Sequence, residues 1–343
     1  MNSIAPQSID ELEELLSRPT PRVVDVLRQT DGDVIILGVG GKMGPTLARM
    51  VQRGFEQAGL QRRVIGVSRF STPGCRDKLE SWGIETLAAD LLDPESVAKL
   101  PDAPYVISMS GFKFGTSTAA HLTWATNCLV PVHVCQRYRD SHIVAFSTGN
   151  VYGMVPVSSG GSVESDPLRP DGEYPMAAVG RERMFEHLSL ANGTPIVLLR
   201  LNYATELRYG VLVDLCQQVL AERPIDIRMG YVNVIWQGDA NAMSICALAH
   251  GSSPLTTINI AGPDILQARA VCSRFAELSG RAVSFVGEES AEAYLNNGTA
   301  AYPILGQPTT TVDEMLQWTC QWLQNDGMTL GKPTHFQVRD GVY

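Results

Sequence analysis

The chain has 343 residues, 44% of them apolar and 18% charged, and a formal net charge of −9. Such a chain can bury a substantial core as one large or two modest domains. Its acidic balance argues against nucleic acid or an anionic membrane as the main partner, while a small anion needs only a local group of arginines.

The first residues, Met1-Asn-Ser-Ile-Ala-Pro6, carry neither a basic start nor an apolar core. No apolar run approaches the ~20 residues of a membrane span. Seven cysteines without C-x-x-C spacing read as buried free thiols. The expectation is a cytoplasmic protein, and six scattered histidines give no metal-ligand spacing. Ser8-Ile-Asp-Glu11 reads as a capping box opening a short helix to Ser17. Pro19 and Pro21 end it, and Val23, Val24, Val26 and Leu27 suggest a second helix. Residues 1–32 are thus read as a helical extension packed on the next domain or on a neighbouring subunit.

The strongest signal is Asp33-Val-Ile-Ile-Leu-Gly-Val-Gly-Gly-Lys-Met-Gly44. Four apolar residues read as a strand buried on both faces, and a helical pattern runs from about Met43 to Gly59. Between them Gly38, Gly40, Gly41, Lys42, Met43 and Gly44 form a turn whose amides can approach a diphosphate. The spacing Gly38-x-x-Gly41-x-x-Gly44 differs from the general G-x-G-x-x-G fingerprint. It resembles that of the extended short-chain dehydrogenase/reductases, the NAD(P)-dependent epimerases and dehydratases. The resemblance covers roughly residues 33–325. It implies an α/β fold, a Rossmann-type doubly wound parallel sheet over 33–200, with a smaller, mainly substrate-binding lobe with returning strands over 201–330 and a tail over 331–343.

A second strand, Arg63-Val-Ile-Gly-Val-Ser68, ends without the carboxylate that holds the ribose 2′-hydroxyl of NAD. Ser68 and Arg69 instead suit a 2′-phosphate, so this reading favours NADP over NAD. The resemblance places Asp90 and Leu91, at the end of the third strand, beside adenine. Asp93-Pro94 caps a helix through Leu100. Tyr105 to Ser108 is the fourth strand, Ser110 lines the cofactor path, and Lys113 follows in the next loop as a substrate candidate. From His121 to Tyr138 a helix carries Leu122, Ala125, Cys128, Leu129, Val132 and Cys135 around much of its circumference. In the family this helix and the one at 174–190 form a dimer contact, which implies a homodimer. Asn127 matches the family's helix asparagine.

Ser147-Thr148-Gly-Asn-Val-Tyr-Gly153 resembles the family's S-[ST]-x-x-V-Y-G turn, which makes Thr148 the catalytic hydroxyl. Tyr174, Glu182 and Arg183 match a second motif in register, but Ala178 stands where a lysine is expected four residues after the tyrosine. A tyrosine titrates near pH ~10 and needs a nearby cation to act as a base at neutrality. Arg181, on the same helical face, or Lys113 are the candidates to supply that charge. Dehydratases of the family carry Asp-Glu directly after the threonine, where this chain has Gly149-Asn150, so an elimination is disfavoured.

Thr194 to Arg200 is a sixth strand, and Arg200-Leu-Asn202 resembles the family's R-P-x-N segment. Beyond it Asn202, Arg208, Arg223 and Arg228 are candidates for contact with an anionic substrate group. Val232 to Trp236 reads as a strand, Asp239 as the cap of a helix to His250, and segments at 257–262, 266–280 and 282–286 as completing the lobe. Val312 to Asn325 is a final helix, on which Trp318 and Trp322 read as packing residues. The expected activity is hydride transfer on a sugar-like alcohol or ketone, by reduction or epimerisation. The alternative is a non-catalytic NADP-binding redox sensor or partner-binding module.

Overall fold

The computed structural model describes residues 5–112 and 119–337. Val34–Leu37 (β1) buries all four side chains by alternation: Val34 and Ile36 join the core under one helical layer, Ile35 and Leu37 the core under the other. A strand apolar on both faces is what a covered parallel sheet requires. Val64–Ser68 (β2), Glu85–Ala88 (β3), Tyr105–Ser108 (β4), His142–Thr148 (β5), Ile196–Leu201 (β6) and Thr256–Ile260 (β7) complete that sheet. The order is β7-β6-β5-β4-β1-β2-β3, parallel throughout. Strand order reverses between β1 and β4, and ligands of such sheets bind in the crevice at the strands' carboxyl ends there.

β7 corrects the sequence reading, which gave this segment to the lobe. Its apolar residues Ile258 and Ile260 belong to the nucleotide domain's core, next to β6. The expected strand at 232–236 is also divided. Tyr231–Val232 pairs with Leu266–Gln267, Ile235–Trp236 pairs with Ala204–Thr205, and buried Asn233 separates them.

Two N-terminal helices, Ile9–Leu16 (α1) and Pro21–Gln29 (α2), precede the sheet. Ser8 caps α1, but Glu11 reaches back to the amide of Gln7 rather than that of Ser8. Pro21 begins α2 at a position where no amide is needed. α2 rests on Gly44–Ala58 (α3) at Gly54, where any Cβ would fall 2.4 Å from Leu27 Cδ1. Cys75–Ser81 (α4) and Pro94–Ala98 (α5) follow β2 and β3. Ala120–Arg137 (α6) and Glu173–Asn192 (α7) lie side by side, brought close at Gly180, where a Cβ would meet Cys128 Sγ at 2.8 Å. Of the apolar side chains read on α6, only Cys135 is buried; Leu122 and Leu129 are exposed. Thr123, Asn127, Val130 and Val134 face inward instead.

The lobe has its own core, shared by Val211–Leu220 (α8), Ala268–Ser279 (α10) and Val312–Gln324 (α12), with Leu12 and Leu16 of α1. Gln237–Cys246 (α9) and Tyr302–Leu305 (α11) pack instead against the nucleotide domain's core. Trp318 stacks edge-on to Trp236 at 5.4 Å, and Trp322 is likewise buried. Asp239 does not cap α9, which starts two residues earlier; its carboxylate takes amide and hydroxyl bonds from Thr309 and Thr310. The described part of the tail packs on the lobe: Thr334 donates twice to Asp214, and Phe336 is buried. Among the described residues no helix is long and apolar enough to cross a membrane.

Candidate functional site

The glycine turn closes the carboxyl end of β1. Gly38 has φ +85°, and a Cβ there would lie 3.0 Å from Ser110 Oγ, beyond β4. At Gly40 a Cβ would fall 2.6 Å from Ser68 Oγ, and at Gly44 it would fall 2.2 Å from the carbonyl of Val39. Only glycine allows the turn to press against β2, β4 and its own first residues. α3 then begins without a side-chain cap, with Pro45 in its first turn, so no side chain satisfies its first free amides.

The neighbouring candidates lie along the same crevice. Ser68 Oγ accepts from the amide of Phe70 at 3.3 Å, and Arg69 is exposed with no ion pair among the described residues. Asp90 Oδ1 accepts from the amide of Leu92, and the carbonyl of Leu91 meets His133 Nδ1 at 3.0 Å, which fixes the turn after β3 against α6. Lys42 Nζ stands 3.1 Å above the centre of the Tyr209 ring, so the glycine turn touches the segment entering the lobe. Burial pushes the Tyr209 phenol above its ordinary range, and nearby Asp214 and Tyr174 push it further.

Thr148 ends β5 and Tyr174 lies in the first turn of α7; both are buried. Thr148 Oγ1 accepts from the amide of Asn150 at 3.3 Å, leaving its own proton without an acceptor among the described residues. Behind them lies a fully paired network. Glu182 takes Ser147 Oγ at 2.5 Å and Arg200 at 3.1 and 2.7 Å. Arg200 also donates to Tyr152 Oη at 2.7 Å, which donates to Asn259 at 2.8 Å. Burial alone would lower the pKa of Arg200, but Glu182 and Tyr152 outweigh it and hold the guanidinium charged. Glu182, Arg200 and Tyr152 therefore lock β5, α7, β6 and β7 together beneath Thr148.

No charge stands at position 178, where Ala178 packs on Val151 and Tyr152. Arg181, one turn on, is buried, and its Nη1 reaches the carbonyl of Ser110 at 3.2 Å. Its Nε has no hydrogen-bond partner among the described residues; neither do Ser110 Oγ and Asn127 Oδ1. Asn127 Nδ2 is held by the carbonyls of Thr123 and Phe112 at 2.8 and 3.3 Å. Three buried polar atoms from three elements thus surround the end of β4, and native interiors rarely leave such groups unpaired. The ribose hydroxyls and amide of a dinucleotide offer the missing partners, and the glycine cradle suits its diphosphate. The residues present fit that group.

Other candidates are not brought to this group. Lys113 lies outside the described residues. Arg208 is buried between Glu206 and Glu13, at 3.0 and 2.9 Å, and Glu13 also receives Lys78 at 2.7 Å. Its charge thereby ties the lobe to α1 and α4. Asn202 is buried and donates to Asn233 Oδ1 at 2.7 Å. Arg228 pairs with Asp226 at the surface. The Lys42–Tyr209 contact and the pairing of Glu182 with Arg200 escaped the sequence reading, although all four residues sit in or beside its motifs. Among the described residues no group of three His, Cys, Asp or Glu side chains could hold a metal ion, and all seven cysteines are free.

Residues 34–204 match the model of the NAD dependent epimerase/dehydratase family. No curated protein matches this chain. Among solved structures, a UDP-glucuronic acid 4-epimerase from Bacillus cereus, in complex with NAD and a fluorinated substrate analogue, aligns with TM-score 0.71 at 18% identity, over 85% of this chain and 99% of its own. A UDP-glucose 4-epimerase from Thermus thermophilus with NAD gives 0.69 at 19%, over 85% and 99%. A dTDP-glucose 4,6-dehydratase from Streptomyces venezuelae with NAD gives 0.72 at 18%, over 86% and 97%. At these identities the likeness establishes the fold.

Proposed function

We propose that this chain, whose residues 34–204 match the model of the NAD dependent epimerase/dehydratase family, is a nicotinamide-dependent epimerase or reductase acting on a sugar nucleotide or related sugar alcohol or ketone. What supports this reading is the glycine cradle at the end of β1, three polar atoms around the end of β4 without partners among the described residues, and buried Thr148 and Tyr174 at the end of β5 and the start of α7. When bound, the dinucleotide supplies hydride exchange with a carbon bearing oxygen. Gly38 to Gly44 would hold its diphosphate, Asp90 and Leu91 its adenine, and Ser110, Asn127 and Arg181 its nicotinamide end.

The chain's own residues then divide the work. Thr148 donates a hydrogen bond to the substrate oxygen and keeps its proton, and Tyr174 exchanges a proton with that oxygen as general acid and base. Tyr174, Ala178 and Arg181 share one helical stripe, and helical side chains lean toward the N-terminus. The Arg181 guanidinium therefore reaches back toward the place of the missing lysine. Ser68 and Arg69 are read as taking a 2′-phosphate, in contrast to the NAD bound by the structural neighbours. The exposed Leu122 and Leu129 of α6, with Met176 of α7, are read as the contact with a second copy of the chain.

The test is incubation with UDP-glucose, UDP-glucuronic acid or dTDP-glucose and either dinucleotide, with products separated chromatographically and absorbance followed at roughly 340 nm. Turnover should fall by about 10²–10⁴ in Tyr174→Phe. Tight dinucleotide binding without turnover on any sugar would favour the sensor reading.

A further inference from the structure

Gly149 directly follows Thr148, and the space its side chain would occupy is already filled. A Cβ there would fall 2.3 Å from Asn296 Oδ1, 2.6 Å from its Cγ and 2.7 Å from its Nδ2. The amide of Asn296 therefore lies against the backbone of the turn that presents Thr148. It comes from a segment about 150 residues away in sequence, and no local pattern announces it.

Asn296 is 3% exposed, and its Nδ2 has no hydrogen-bond partner among the described residues. Its backbone is held on both sides. The amide of Ser162 donates to Leu295 O at 2.9 Å, and the amide of Asn297 donates to Ser162 O at 2.8 Å. Asn233 gives Nδ2 to the Asn296 carbonyl at 2.6 Å and accepts its N–H at 3.3 Å. Across the resulting bridge Ser162 Oγ is also buried without a partner. Two buried polar groups lack partners on a rigid frame, one of them packed against Gly149, the residue after Thr148, and such groups point to an absent ligand.

Resting on the proposed function, we infer that Asn296 is a substrate-binding residue of this site. Its Nδ2 donates to a sugar oxygen, a hydroxyl or carboxylate next to the oxygen that Thr148 holds, with Ser162 Oγ as the neighbouring polar group. In the resembling dehydratases position 149 carries an acid able to give up a proton. Here a neutral amide fills that place, and it orients a substrate without supplying a proton for elimination. The subsite thus belongs with epimerisation or reduction.

The experiment titrates UDP-glucuronic acid, UDP-glucose and dTDP-glucose calorimetrically into dinucleotide-saturated protein, wild type and Asn296→Ala. Affinity for the sugar nucleotide should fall about tenfold in the variant, with dinucleotide affinity and melting temperature unchanged. Separately, Gly149→Ala should lower the melting temperature, and Gly149→Ala with Asn296→Ala should restore it, because the two side chains compete for one volume. Equal sugar-nucleotide affinity in wild type and Asn296→Ala, with a lowered melting temperature in the variant, would assign Asn296 a structural or water-binding role and overturn the inference alone. Wild-type protein that binds none of the three sugars would overturn both this inference and the proposed function.

Discussion

Two buried polar regions flank the candidate site, and they differ in one respect. Beneath Thr148 the side chains of Ser147, Glu182, Arg200, Tyr152 and Asn259 close on one another. Around the end of β4, Ser110 Oγ, Asn127 Oδ1 and Arg181 Nε lack partners among the described residues. Both regions bury an arginine, yet only Arg200 has a carboxylate against it. A closed network stabilises one arrangement of strands and helices; an open one carries a desolvation cost that a ligand can offset. The first region reads as scaffold and the second as binding surface.

The comparison breaks most easily at Arg200. Arg200→Met leaves Glu182 buried without its counter-charge, and denaturant unfolding should show a loss of about 3–5 kcal/mol. Arg181→Met removes a buried charge that no carboxylate compensates, so its stability should hold within about 1 kcal/mol or rise. In the same variant dinucleotide affinity, read by fluorescence titration, should fall at least ~10-fold. If the two variants behave alike, the distinction between scaffold and binding surface fails. At the adenine end Arg69→Ala should weaken NADP by about tenfold relative to NAD; an unchanged ratio removes the case for a 2′-phosphate.

The smallest effect concerns the cleft's lobe side, where Asp214 accepts twice from Thr334. Burial holds its pKa above the ordinary 3.8, although Thr334, His335 and Lys42 pull it back. Folded protein therefore binds this proton more readily than unfolded chain. The associated stability is present below pH 3.8 and is lost as pH rises through the raised value. Asp214→Asn, which does not ionise, should gain on wild type as pH rises across that window, by no more than about 1 kcal/mol. A difference independent of pH would contradict that placement.

Much of this was legible because it is local. The β1–turn–α3 unit follows from a run of a dozen residues whose periodicity and glycines admit one backbone, whereas Thr148 and Tyr174 were picked out by resemblance to the family's motifs and their roles are proposals. What distant segments supply was not legible. Nothing local in Thr256–Ile260 says that it borders β6 rather than the lobe. Arg208 looks like any surface arginine until Glu13 is folded beside it. The apolar residues of α6 left open whether they meet the core or a second subunit, because composition does not distinguish a core face from an unpartnered one. Asn296 left only an indirect trace, the glycine at 149 in place of an acid.

The central claim is that Arg181 takes the role of the absent lysine within a dinucleotide site. A crystal structure with bound NAD tests it directly. The prediction is an Arg181 guanidinium nitrogen within about 3 Å of a nicotinamide-ribose hydroxyl, with the Tyr174 phenol facing the ring. A dinucleotide bound elsewhere, or an Arg181 still bonded to the Ser110 carbonyl alone, would contradict it.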